Sequence, residues 1–157
     1  MEIDMFGTQQ NINQYQKVSI ESGVDAANPV ELIVMLYDGA ILSCNSAIPH
    51  VKTNDFKQKG HFIYKAIRII QSGLKMSLNY DEGGEIAINL DALYTYMTKQ
   101  LVKANIENVE EPINEVVQLL KELRSAWLAI SKTEAANIAP SKQAVIANNK
   151  NAYMEKV

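Results

Sequence analysis

From Pro29 to Lys52 the chain is apolar almost all round. Laid out at about 100° per residue, its polar residues fall mainly on one narrow strip, Glu31, Asp38, Asn45 and Lys52. A bundle helix needs an apolar stripe roughly 100° wide, and Ile33, Tyr37, Ala40, Ile41, Cys44, Ile48 and Val51 supply it. Leu32, Met35, Leu36 and Leu42 are left over, point away from that stripe and require a second surface to be buried against, which another chain would provide. Asn28 as N-cap, Pro29 at the first helical position and Glu31 three residues after the cap give this helix a strong start signal.

Three more helical stretches follow with short joints. The second runs over about 55–79, with Phe56, Ile63, Ala66, Ile67, Ile70, Leu74 and Leu78 as its inward stripe. Asp81, Glu82, Gly83 and Gly84 then break the chain, and a third helix over about 85–105 aligns Ile86, Leu90, Leu93, Tyr94, Met97, Leu101 and Ala104 at spacings of three and four. The acids Asp81, Glu82 and Glu85 lie at its start, where they favour the helix dipole. The fourth spans about 111–131, with Pro112 near its first turn and Ile113, Val116, Val117, Leu120, Leu123 and Trp127 inside. Four amphipathic helices of similar length with short connections predict an all-α fold, an antiparallel four-helix bundle over 28–131. Residues 1–27, rich in Gln, Asn and Ser, read as a mobile N-terminal arm with a short helical turn near Tyr15. Residues 132–157 read as a weakly helical C-terminal extension in which Ser141 caps a short helix, too thin in apolar side chains for a core element.

Composition narrows the chemistry. With 157 residues, 47% of them apolar, the chain is long enough for one domain with a real core. A net charge of −3, with lysines scattered among acids, lacks the basic footprint that nucleic acid requires. The single cysteine, Cys44, falls on the core side of its helix, so no disulfide framework exists and a reducing compartment fits. The start is neither basic nor apolar enough for a signal peptide, and no apolar run reads as a membrane span. The expectation is a cytoplasmic protein without membrane insertion. Catalysis has little support. His50 and His61 stand outside any Glu-x-x-His pair, so the di-metal carboxylate site of such bundles lacks its ligands, and 81–85 lacks calcium-loop spacing. No phosphate loop, nucleophile elbow or zinc motif is present, and neither a metal nor another cofactor is implied.

What the pattern does offer is apolar surface. On the second helix Phe62, Ile69, Gly73 and Met76 form a stripe beside the core stripe, with Gly73 permitting close backbone approach. Together with Leu32, Met35, Leu36 and Leu42 it outlines a groove able to take an amphipathic helix, and methionines let such a surface adapt. Tyr96 turns away from the core beside Ala92 and offers an apolar ring with a polar tip. Burial against the termini or against a second subunit, as a homodimer, accounts for the same residues. Ile12 and Tyr15 are a lone pair of large apolar residues in a polar arm, either a plug over the groove or an exposed hook.

The runs at 28–40 (NPVELIVMLYDGA) and 83–97 (GGEIAINLDALYTYM), then Leu101, Ala104 and Asn105, and finally 120–127 (LKELRSAW), resemble the flagellar secretion chaperone family FliS over about residues 12–130. The resemblance implies a stoichiometric, non-catalytic chaperone that holds flagellin in the cytoplasm. It implies a small helical bundle around which flagellin's disordered C-terminal segment wraps, becoming helical in apolar grooves. Such a segment covers a large surface while ordering costs it affinity. The family carries a similar isoleucine and tyrosine in its arm, so Ile12 and Tyr15 would present the loaded chaperone to the cytoplasmic domain of the export gate protein FlhA. The alternative is a helical adaptor or regulatory module that takes another flagellar protein, such as FliW or an anti-sigma factor, in the same grooves. Residues 132–157 lie outside the resemblance.

Overall fold

The structure, a computed structural model, describes residues 29–130 and 137–138. Along them run α1 (Pro29–Lys52), α2 (Phe56–Arg68), α3 (Tyr80–Glu107) and α4 (Glu111–Ala129), and no strand occurs among the described residues. A π-helical stretch, Ile69–Leu74, and a 3-10 turn, Lys75–Ser77, prolong α2 toward α3. The predicted all-α bundle is the observed fold.

The helices alternate in direction, and one polar cluster displays why. The end of α1, the start of α2, the end of α3 and the start of α4 all meet there. Lys59, only 3% exposed, donates from Nζ to the Asn105 carbonyl at 2.9 Å and to Asn108 Oδ1 at 3.1 Å. A lysine ammonium on the last carbonyls of α3 is favoured by the helix dipole. Asn108 takes left-handed backbone (φ 54°) as the C-cap of α3, and its Nδ2 reaches Asn54 Oδ1 at 2.8 Å. Asp55 starts α2 by accepting the Gln58 N–H at 3.2 Å.

Core packing explains why α1 has so little polar surface. It packs against α2 with its π-helical continuation on one side and against α4 on the other. Leu32 and Leu36, expected to lie off the core stripe, are therefore buried by their own chain. Leu36 lies against Gly73, where an added Cβ would stand 3.0 Å from the Leu36 Cδ2 methyl. The π-helical bonding inserts an extra residue into the turn, and Ile69 and Ile70 are both buried there at adjacent positions. By length and composition Val30–Lys52 is apolar enough to cross a membrane, which corrects the expectation that no run reaches that length. Here its apolar excess is spent on two protein neighbours.

A buried polar triad joins three of the four helices. The hydroxyls of Tyr37 (α1) and Tyr94 (α3) share a hydrogen bond of 2.5 Å, and Trp127 Nε1 (α4) donates to the Tyr37 hydroxyl at 2.8 Å. Burial above all holds both phenols above their usual range, so both stay protonated. Satisfied buried hydrogen bonds of this kind specify one register of packing.

The start of α3 and the two inward stripes need correction at particular residues. The helix begins at Tyr80 rather than near 85, capped by Asn79, whose side chain accepts the Glu82 N–H at 3.1 Å. The predicted break shrinks to Gly84 alone, at φ 53° and ψ −126°. Because the chain turns at Gly84, Ala87 rather than Ile86 is the inward residue of the next turn: Ala87 is buried and Ile86 is 55% exposed. Phe56, expected inside, is 59% exposed at the first position of α2, with the Lys59 ammonium 4.8 Å from its ring centroid. The α4 helix ends at Ala129, close to the predicted limit. The N-cap role of Asn28, the N-terminal arm with Ile12 and Tyr15, and the short helix after Ser141 lie outside the described residues.

Candidate functional site

The nine predicted groove residues divide into two sets. Leu32, Leu36, Ile69 and Gly73 are buried, and Phe62 is half-buried with its ring stacked on His50 at 5.6 Å between centroids and edge-on to His61 at 5.1 Å. These five do not form an open groove wall. The stripe that looked like a second surface is the seam between α1 and the α2 continuation, closed by Leu36 on Gly73. Met35, Leu42, Met76 and Tyr96 remain exposed.

The exposed residues do not share one face either. Met35 and Leu42 stand seven positions apart on the outer side of α1, on the arc with Glu31, Asp38 and Asn45. Met76 lies in the 3-10 turn before α3, 68% exposed. Tyr96 lies on α3, which shares its helix contacts with α2 and α4, so it faces away from the outer side of α1. Its hydroxyl donates to Glu115 Oε2 of α4 at 2.8 Å, and Gln100 Nε2 holds the other carboxylate oxygen at 2.8 Å. The Glu115 carboxylate beside it raises the phenol's pKa. On the α1 side, Arg124 of α4 donates from Nε to Asp38 Oδ1 at 2.6 Å.

A further apolar row escaped the sequence reading. On α3, Ile88, Ala92, Val102 and Ile106 are exposed, opposite the buried row of Tyr94, Met97, Leu101 and Ala104. Ile88 and Ile106 are five helical turns apart. At three- and four-residue steps the row continues through Thr95 and Lys99, so it is an apolar strip with one charge in it. The signal was present as a second period in the same helix, hidden because the first period already accounted for a core face. Exposed apolar side chains thus lie at opposite corners of the bundle, as a strip on α3 and, on α1, as the pair Met35 and Leu42 set among Glu31, Asp38 and Asn45.

Cys44 is buried, and burial pushes its thiol up to about 12. His50 Nδ1 stands 3.6 Å from Asp55 Oδ2. No group of three or more His, Cys, Asp or Glu side chains able to hold a metal occurs among the described residues.

Comparison with known proteins gives a consistent picture. The family model described as flagellar protein FliS matches residues 11–134. The chain is 44% identical over 124 residues to the flagellar secretion chaperone FliS of Salmonella typhimurium, covering 79% of this chain and 92% of that one. It is 43% identical over 120 residues to the flagellar secretion chaperone FliSB of Pseudomonas aeruginosa, covering 76% and 94% respectively. With the flagellar secretion chaperone FliS of Bacillus subtilis the identity is 32% over 114 residues, covering 73% of this chain and 84% of that one.

Proposed function

The chain belongs to the FliS family of flagellar secretion chaperones, and from that premise we propose that it is a cytoplasmic, non-catalytic holder of flagellin's disordered C-terminal segment. The observation that carries the proposal is exposed apolar surface at two corners, the strip of Ile88, Ala92, Val102 and Ile106 on α3 and the pair Met35 and Leu42 among the polar positions of α1. A core with 26 buried apolar residues among the described residues does not need them. Apolar positions on opposite corners suit one extended client that wraps the bundle and turns helical where it meets each of them. A compact partner would meet only one corner.

Holding works by occupancy. The client's apolar stripe, covered on the chaperone, is unavailable for joining other flagellin subunits, which keeps the client monomeric and secretion-competent. Folding on binding lowers the net affinity by the cost of ordering the segment, which leaves the client releasable. Delivery to the cytoplasmic domain of FlhA is the proposed destination, with Ile12 and Tyr15 as interaction residues. The experiment is a calorimetric titration of the full chain with the C-terminal segment of flagellin from the same organism, followed by circular dichroism. A one-to-one complex with negative heat-capacity change and a gain in helix supports the proposal. Absence of binding, or binding of FliW or an anti-sigma factor in its place, defeats it in favour of the adaptor reading.

A further inference from the structure

The joint between α2 and α3 holds a contact that the bundle itself does not require. Asn79 is the residue before α3, with extended backbone at φ −99° and ψ 97°. Its carbonyl accepts the Gly83 N–H at 2.8 Å and its side chain accepts the Glu82 N–H. Its own N–H lies outside the helical ladder and is directed elsewhere, to the Ile138 carbonyl at 2.6 Å. Ile138 is half-buried and packs against the core. Gly83 faces this approach and its own helix together: a Cβ there would stand 2.9 Å from the Ala87 Cβ, 3.1 Å from the Asn137 carbonyl oxygen and 3.2 Å from Ile138 Cα. Asn137 and Ile138 lie beyond residues 11–134, the stretch matched to the family.

We propose that the α2–α3 joint is a peptide-docking site whose resident ligand is this chain's own Asn137–Ile138 segment. The ligand class follows from the donors and the space: a peptide that offers one main-chain carbonyl to the Asn79 N–H, presents its backbone to Gly83, and seats a large apolar side chain on the core. The carbonyl sets the register, the isoleucine supplies the apolar burial, and Gly83 leaves the space that both Ala87 and the peptide backbone border. The site needs no client, so its test stands apart from the flagellin proposal.

Amide hydrogen exchange of the full chain, read by NMR at Asn79, tests it directly. In the unaltered chain the Asn79 amide is protected, and Ile138→Asp speeds its exchange by about tenfold or more while amides at Tyr37 and Leu101 keep theirs, as expected for a local opening. Should the aspartate unfold the chain, Ile138→Ala reads the same amide without adding charge. Protection at Asn79 that persists in any of these folded variants overturns the proposal. Protection that falls on dilution also overturns it, because the resident would then come from a second copy.

Discussion

Leu36 and Met35 are adjacent in sequence, yet Leu36 is 1% exposed against Gly73 and Met35 is 38% exposed on the outer side of α1. Substitution should separate them. Leu36→Ala removes buried methyls from a closed seam and is expected to cost about 2–5 kcal/mol, and Leu36→Asp or Ile69→Asp should leave the chain unfolded because each buries an unpaired carboxylate. Met35→Asp and Leu42→Asp should keep native circular dichroism and melting while weakening the flagellin segment by about tenfold or more each, as interface anchors do. Unfolding of the Met35 variant would place that residue in the core and remove it from the α1 pair. Cys44 makes a separate prediction. Its thiol, at about 12 when folded against an ordinary 9.0, keeps its proton in the native state. A raised acid pKa means that the unfolded chain loses the proton first. This contribution to stability is therefore whole below about pH 9 and is lost as pH rises toward 12. Tyr37 and Tyr94, also raised by burial, act in the same direction. Denaturant midpoints should fall through that alkaline range, and a thiol reagent at pH 8 should label Cys44 only in denaturant.

At the scale of the element, the helices were legible because each carries a clean apolar period, and their observed limits lie close to the predicted ones except at the α2–α3 joint. Gly83 and Gly84 read as one break in the sequence, but they act differently. Gly84 has the backbone angles that favour glycine, whereas Gly83 serves through space. The cap at Asn79 begins the helix before either. The π-helical turn at Ile69–Leu74 is not legible in the apolar period, which runs on through it; Gly73 within it lies against Leu36 of α1. Gly84→Ala should destabilise the chain by about 1–3 kcal/mol, the usual cost of a non-glycine residue in such a region. A melting temperature equal to that of the unaltered chain would show that α3 straightens there without penalty.

For the whole molecule, helical periodicity told which residues seek burial and could not tell what covers them. The surplus apolar positions of α1 leave a partner and burial within the chain both open; Leu32 and Leu36 are buried, Leu36 against Gly73 of the α2 continuation, while Met35 and Leu42 stay uncovered. A helix at one corner of a four-helix bundle meets two neighbours, so its buried arc is wider than one stripe. The candidate site is accordingly not a single groove between α1 and α2 but exposed apolar positions at opposite corners, the pair Met35 and Leu42 on α1 and the strip on α3. Wrapping is the property that distinguishes this arrangement. Methyl NMR of the full chain during titration with flagellin's C-terminal segment reads both corners in one experiment. The account predicts that the methyls of Met35 and Leu42 shift together with those of Ile88, Val102 and Ile106, with one common midpoint at equimolar segment, while Leu36 and Ile69 stay buried and in place. Shifts confined to one corner, or a main response from Leu36 and Ile69, would contradict it.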